Sequence, residues 1–127
     1  MLFRSGGTWI VSALRNSSRE SALIATGAEI IHLPSSAGKV DLLALMQELG
    51  KREINELHVE AGFKLNGSLL RAGCVDELLV YMAPCLLGPA QGMARLPELS
   101  DLSSRVKLQF HEVCSIGDDV RILARVI

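Results

Sequence analysis

Short runs rich in β-branched and large apolar residues alternate along the chain with stretches whose apolar positions recur at helical spacing. Thr8-Trp9-Ile10-Val11-Ser12 follows a Gly6-Gly7 break and predicts a strand. Ser17-Ser18-Arg19-Glu20 is a capping-box pattern, a serine with a glutamate three residues on. It opens a short helix that runs to about Thr26 and stops at Gly27. Ala28 to Leu33 predicts a second strand, ended by Pro34, and Ser35 to Lys39 is a polar loop. From Asp41 onward, Leu42, Leu45, Met46 and Leu49 fall at i, i+3, i+4 and i+7 and form one apolar stripe. Gly50 ends the stripe, and Lys51-Arg52 stand near the negative end of that helix.

Asn55 to Glu60 predicts a third strand. Lys64 to Ala72 predicts a helix with Leu65, Leu69 and Leu70 on its inner side and Gly73 just past its end. Asp76 to Ala83 predicts a fourth strand, closed by Pro84. Gly88 to Ser104 has little periodicity and reads as loop or short turns. Val106 to Cys114 and Val120 to Val126 predict two strands joined by the turn sequence Ile116-Gly117-Asp118-Asp119. The order is β-α-β-α-β-α-β-loop-β-β. This predicts the α/β class: a mostly parallel sheet with right-handed crossovers, flanked by helices, and a C-terminal antiparallel hairpin.

Composition narrows the reading. A length of 127 residues fits one domain. Aromatic residues are only 4% against 49% hydrophobic, so Leu, Ile, Val and Ala must fill the interior. A formal net charge of -1 gives no nucleic-acid footprint. No apolar run is long enough to span a bilayer, so no membrane is expected as partner. Met1 to Gly7 lacks the long apolar core of a signal peptide. Cys74, Cys85 and Cys114 are odd in number and form no CxxC pair, which predicts reduced, mostly buried thiols in a cytoplasmic protein. His32, His58 and His111 show no metal-ligand spacing, so no metal site is expected, and packed or hydrogen-bonded roles are expected instead. Lys51-Arg52-Glu53 reads as a solvated face, Asp76-Glu77 as the top of a strand and Asp118-Asp119 as turn chemistry.

The segment with chemical content is His58-Val59-Glu60-Ala61-Gly62-Phe63-Lys64-Leu65-Asn66-Gly67-Ser68, a strand, a glycine and a helix start. Ligands of open α/β sheets bind beyond the carboxyl ends of strands. The first amides of a helix lack internal partners and suit a phosphate. Gly62 has no Cβ, so a pyrophosphate can approach the backbone; Lys64 adds charge and Ser68 a hydroxyl. Glu60 would be a carboxylate at the end of a buried strand, placed to accept hydrogen bonds from ribose hydroxyls or a heterocycle. The alternative is a glycine that serves packing alone. The pattern is not GxGxxG, and no acidic residue sits where that motif needs one. His58, two residues from Glu60, would share its strand face.

Residues 54–88 resemble the C-terminal reductase domain of the bacterial bifunctional riboflavin-biosynthesis deaminase/reductase. The markers are Val59-Glu60-Ala61-Gly62, then Ala72-Gly73-Cys74-Val75-Asp76-Glu77-Leu78, then Ala83-Pro84-Cys85-Leu86-Leu87-Gly88. Leu96-Pro97 and Gly117-Asp118-Asp119-Val120 agree, and a looser match runs back to Thr8. The resemblance implies a dihydrofolate-reductase-like fold. It also implies NADPH-dependent reduction of a phosphoribosylamino-pyrimidinedione, by hydride transfer to the opened, imine form of the sugar, which leaves a ribityl chain. It maps substrate contact to Glu60 and the cofactor phosphates to Gly62, Phe63, Lys64, Leu65, Asn66, Gly67 and Ser68; Ser12 faces the cofactor as well.

The sequence departs from that family at three points. Strands expected before Thr8, the H-x-E and P-C-x-x-C patterns of the deaminase domain, and a lysine common at position 85 have no counterpart. The expectation is therefore the rear part of a reductase domain without much of its substrate pocket. Sheet edges or apolar surface left uncovered favour a homo-oligomer, a dimer. Two alternatives stand beside the reductase reading: a non-catalytic piece that acts only through association, and another dihydrofolate-reductase-like reductase acting on a pterin-like substrate.

Overall fold

In the computed structural model, strands β1 (Thr8–Ser12) and β2 (Ala28–His32) pair in parallel, from Thr8 opposite Ala28 to Ser12 opposite His32. Parallel neighbours need a crossover, and helix α1 (Ser17–Ala25) supplies it, packing on β2. The cap of α1 is Asn16 rather than the expected Ser17. Its side chain accepts from the Arg19 amide at 3.1 Å, while Glu20 reaches back to accept from the Asn16 amide at 2.8 Å. The reciprocal capping logic holds one residue earlier, because an asparagine caps at least as well as serine. Gly27, at φ +89, ends the helix in the left-handed conformation.

Helix α2 (Leu42–Lys51) starts at Asp41, whose carboxylate accepts from the Ala44 amide at 2.9 Å. Among the residues described, 7–127, the chain forms two compact units, one ending at Leu57 and one beginning at His58. The elements above belong to the first unit, where Ala28 and Ile31 are buried. The reading of Met1 to Gly7 lies, but for Gly7, outside the described residues.

Arg52 does not sit on a solvated face as expected. Its guanidinium donates to Glu29 at 2.7 Å and to Glu48 at 2.9 Å, and it lies 4.7 Å above the Trp9 ring. Trp9 and Glu29 are cross-strand partners, so one arginine staples the end of α2 to both strands. The two carboxylates, Glu29 first, hold the guanidinium charged well beyond its ordinary range.

The second unit holds helix α3 (Phe63–Arg71) and strands β3 (Glu77–Met82), β4 (Leu108–Ile116) and β5 (Asp119–Val126). The strands form one antiparallel sheet in the order β3-β5-β4. The β4–β5 hairpin turns through Gly117, at φ +61, and Asp118. A bulge falls at His111, between the pairs Phe110–Ala124 and Glu112–Leu123. The extra residue puts Phe110 and Val113, three apart, on one face with Val80, Ile122 and Ala124. The ion pairs Glu77–Arg125 and Glu112–Arg121 lie on the other face. Leu69 and Ala124 are buried here, while Leu65, expected to face inward, is exposed.

The α/β class therefore holds: a parallel pair, flanking helices and the C-terminal antiparallel hairpin. One expected element is corrected. Asn55–Glu60 forms no strand, and among the described residues it pairs with neither sheet. A strand exists only through its neighbour's hydrogen bonds, and β propensity alone does not supply one. The thiols also differ from expectation: Cys74 and Cys114 are half-buried and Cys85 is exposed, none bonded to another. Among the described residues no helix is long and apolar enough to cross a membrane.

Candidate functional site

The turn from Glu60 into α3 is built as the sequence predicts in one respect and differs in another. Gly62 is the cap residue of α3, at φ -87 and ψ 173, and no side chain caps the helix. The Asn66 amide bonds the Gly62 carbonyl at 3.1 Å, so the amides of Phe63, Lys64 and Leu65 precede the first helical bond. Helices α1 and α2 both carry a side-chain cap, whereas among the described residues no side chain accepts from the amides at the start of α3. Gly62 and Lys64 are exposed, and Lys64 places a cation at the positive helix end.

Gly62 is not there for its own conformation. Its φ is one that any residue adopts, and a Cβ added there would meet nothing within 4 Å. Among the described residues, neither turn geometry nor packing requires a glycine at this position. Gly67 is the opposite case. It is buried, and a Cβ there would stand 2.1 Å from the Arg95 carbonyl oxygen.

Glu60 was expected to be buried at a strand end and is not. Its side chain is 88% exposed, because the strand that would have sheltered it does not form. His58, expected to be packed or hydrogen-bonded, is also exposed, and its Nε2 lies 3.6 Å from Glu60 Oε1, so the two share one side of the extended segment. Ser68 is engaged within α3: its hydroxyl donates to the Lys64 carbonyl at 3.0 Å and accepts from Arg71. Ser12 ends β1 in the first unit, where its hydroxyl donates to the Leu14 carbonyl at 2.6 Å. Glu60, Gly62, Phe63, Lys64, Leu65, Asn66, Gly67 and Ser68 thus lie together in the second unit.

Sequence reasoning missed Met93 and Arg95. The Arg95 amide donates to the Phe63 carbonyl at 2.9 Å, and the Asn66 side-chain amide donates to the carbonyls of Met93 and Ala61. The one signal was Asn66-Gly67 itself, two poor helix formers inside a helix. Two shallow concavities, about 350 Å³ around Met82 to Leu86 and about 590 Å³ around Arg15, Glu20 and His32, are lined by residues other than those of the turn.

The model of the RibD C-terminal domain matches residues 2–122. The chain belongs to this family. It is 41% identical over 116 residues to the riboflavin biosynthesis protein RibD of Escherichia coli (strain K12), covering 91% of the chain and 30% of that protein. It is 37% identical over 86 residues to the 5-amino-6-(5-phosphoribosylamino)uracil reductase of Buchnera aphidicola subsp. Acyrthosiphon pisum, covering 67% of the chain and 42% of that protein. The chain therefore spans less than half the length of these curated relatives. Among solved structures, Acinetobacter baumannii RibD superposes with a TM-score of 0.77 at 23% identity, over 94% of the chain and 31% of that chain. At that identity the likeness shows the fold.

Proposed function

We propose that the chain carries the cofactor turn of an NADPH-dependent 5-amino-6-(5-phosphoribosylamino)uracil reductase of riboflavin biosynthesis. The family match across residues 2–122 carries the reading, and the Buchnera relative's name supplies the reaction. The free amides of Phe63, Lys64 and Leu65, with the open space before Gly62, support a phosphate-bearing cofactor at this turn. When bound, the reduced nicotinamide supplies the hydride that turns the ribosyl group into a ribityl chain. The chain's own residues bind and orient. The α3 amides and Lys64 hold pyrophosphate oxygens, and Glu60 accepts hydrogen bonds from substrate hydroxyls. Ser12 is a further candidate cofactor contact. The reading places the protein in the cytoplasm as a homodimer.

Titration calorimetry of the chain with NADPH tests it, with Gly62→Val as control. The expected result is binding that the variant loses, because a branched side chain fills the space the phosphates need without straining the backbone. Absence of binding by the unaltered chain overturns the cofactor assignment. A second reading, a non-catalytic folded piece that acts only through association, is favoured by the exposure of Glu60. Turnover of the pyrimidine substrate by the chain alone would remove it.

A further inference from the structure

Residues 83–101 form neither helix nor strand, yet one part of this segment is fastened to the start of α3. Asn66 Nδ2 donates to two carbonyls at once, Ala61 at 3.1 Å and Met93 at 2.9 Å. The Arg95 amide donates to the Phe63 carbonyl at 2.9 Å. Gly67 lets the Arg95 backbone lie against the helix: a Cβ would meet its oxygen at 2.1 Å and its carbonyl carbon and nitrogen at 2.6 Å. These atoms are backbone, which cannot swing aside as a flexible side chain can. Asn66 and Gly67 also weaken the helix they belong to, since both are poor formers in its interior. That local cost is offset by the clamp they make. One side-chain amide and one missing methyl hold residues 93–95 across the first turns of α3, and the same amide grips Ala61, the residue before the Gly62 cap.

We propose that Asn66 and Gly67 are positioning residues for the cofactor turn, acting through residues 93–95 and Ala61 rather than by touching the phosphates. The proposal rests on the reading of this turn as the NADPH site. Its physical basis is preorganisation. Amides already fixed in direction lose little freedom on binding, whereas a turn that must be ordered first loses affinity. The Ala61 carbonyl matters for a second reason: if it rotated toward the free amides' side, its oxygen would repel the anion they attract.

The test uses three variants of the chain: Gly67→Ala, which drives a methyl into the Arg95 backbone; Asn66→Asp, which sets carboxylate oxygens against two carbonyls; and Glu98→Gln, an exposed change in the same segment, as control. Two quantities are read for each, the NMR hydrogen-exchange rate of the Arg95 amide and the calorimetric Kd for NADPH. The expected result is a protected Arg95 amide in the unaltered chain and fast exchange in the first two variants. Their NADPH binding should be about tenfold weaker, the order expected for losing one or two such hydrogen bonds. Glu98→Gln should change neither. A variant that frees the Arg95 amide and keeps its NADPH affinity would overturn the proposal, as would continued protection in both variants. If Gly67→Ala does not fold, Asn66→Asp decides, since it adds no bulk. If the unaltered chain binds no NADPH, the cofactor reading and the positioning role fall together. Arg95 protection would then show separately whether the clamp itself exists.

Discussion

Gly62 and Gly67 stand five residues apart at one helix start, in opposite surroundings. At 62 a side chain has room on every side; at 67 it has none. Close backbone approach therefore explains the glycine at 67, while at 62 nothing among the described residues requires one. Glu60 belongs to the same scale. In an intact enzyme of this family, Glu60→Gln is expected to raise KM for the pyrimidine substrate while NADPH affinity stays unchanged. An unaltered rate and KM would remove Glu60 from the site. Arg52 gives a spectroscopic prediction, because Trp9 is the single tryptophan and lies under its guanidinium. Arg52→Ala removes the cation and its packing stem together, so the emission of Trp9 should shift to the red and the melting temperature fall. Unchanged emission would mean that the stacking is not populated in solution.

At the scale of elements, helix ends decide more than helix faces. Asp41→Ala should cost about 1 kcal/mol in chemical denaturation, the usual value of a lost N-cap, since Asp41 accepts from the Ala44 amide. Glu20 links the start of α1 to β2. The Asn16 amide first, and the hydrogen bond with His32 second, hold its carboxyl below the ordinary glutamate value of 4.5. A carboxyl whose folded value is depressed stabilises the fold fully above its unfolded value and loses that contribution as pH falls through the folded one. Unfolding followed on acidification should therefore show stability declining below about pH 4.5, and Glu20→Gln should flatten that decline. An equally steep decline in the variant would assign it to other carboxylates. Glu29, held down by Arg52, and Glu112, held down by Cys114 and then Arg121, titrate with the same sign.

For the whole molecule, the described residues place few apolar side chains out of contact with water. Ala28, Ile31, Leu69 and Ala124 are the buried hydrophobic residues, while Phe110, Val113 and Met82 on one face of the sheet are exposed. Apolar surface of that kind favours association. Light scattering is expected to give twice the mass of one chain, falling toward one when Phe110→Ser and Val113→Ser are combined. A concentration-independent monomer in the unaltered chain would overturn the dimer.

What the sequence alone determined is local. Hydrophobic spacing, Asp41 and the stop glycines placed three helices and five strands within a residue or two, because caps, turns and periodicity act over a few neighbouring positions. The Val-Glu-Ala-Gly turn and the later Asp-Glu-Leu and Ala-Pro strings also pointed to the family the chain belongs to. What only the tertiary structure decided depended on partners distant in sequence. Asn55–Glu60 has the composition of a strand and finds no pairing, so Glu60 is left in water. Arg52 looked like a surface charge until Glu29, Glu48 and Trp9 were brought around it. Arg95 and Met93 carried no motif, and their contacts exist only because the chain returns to lay their backbone against Gly67 and Asn66.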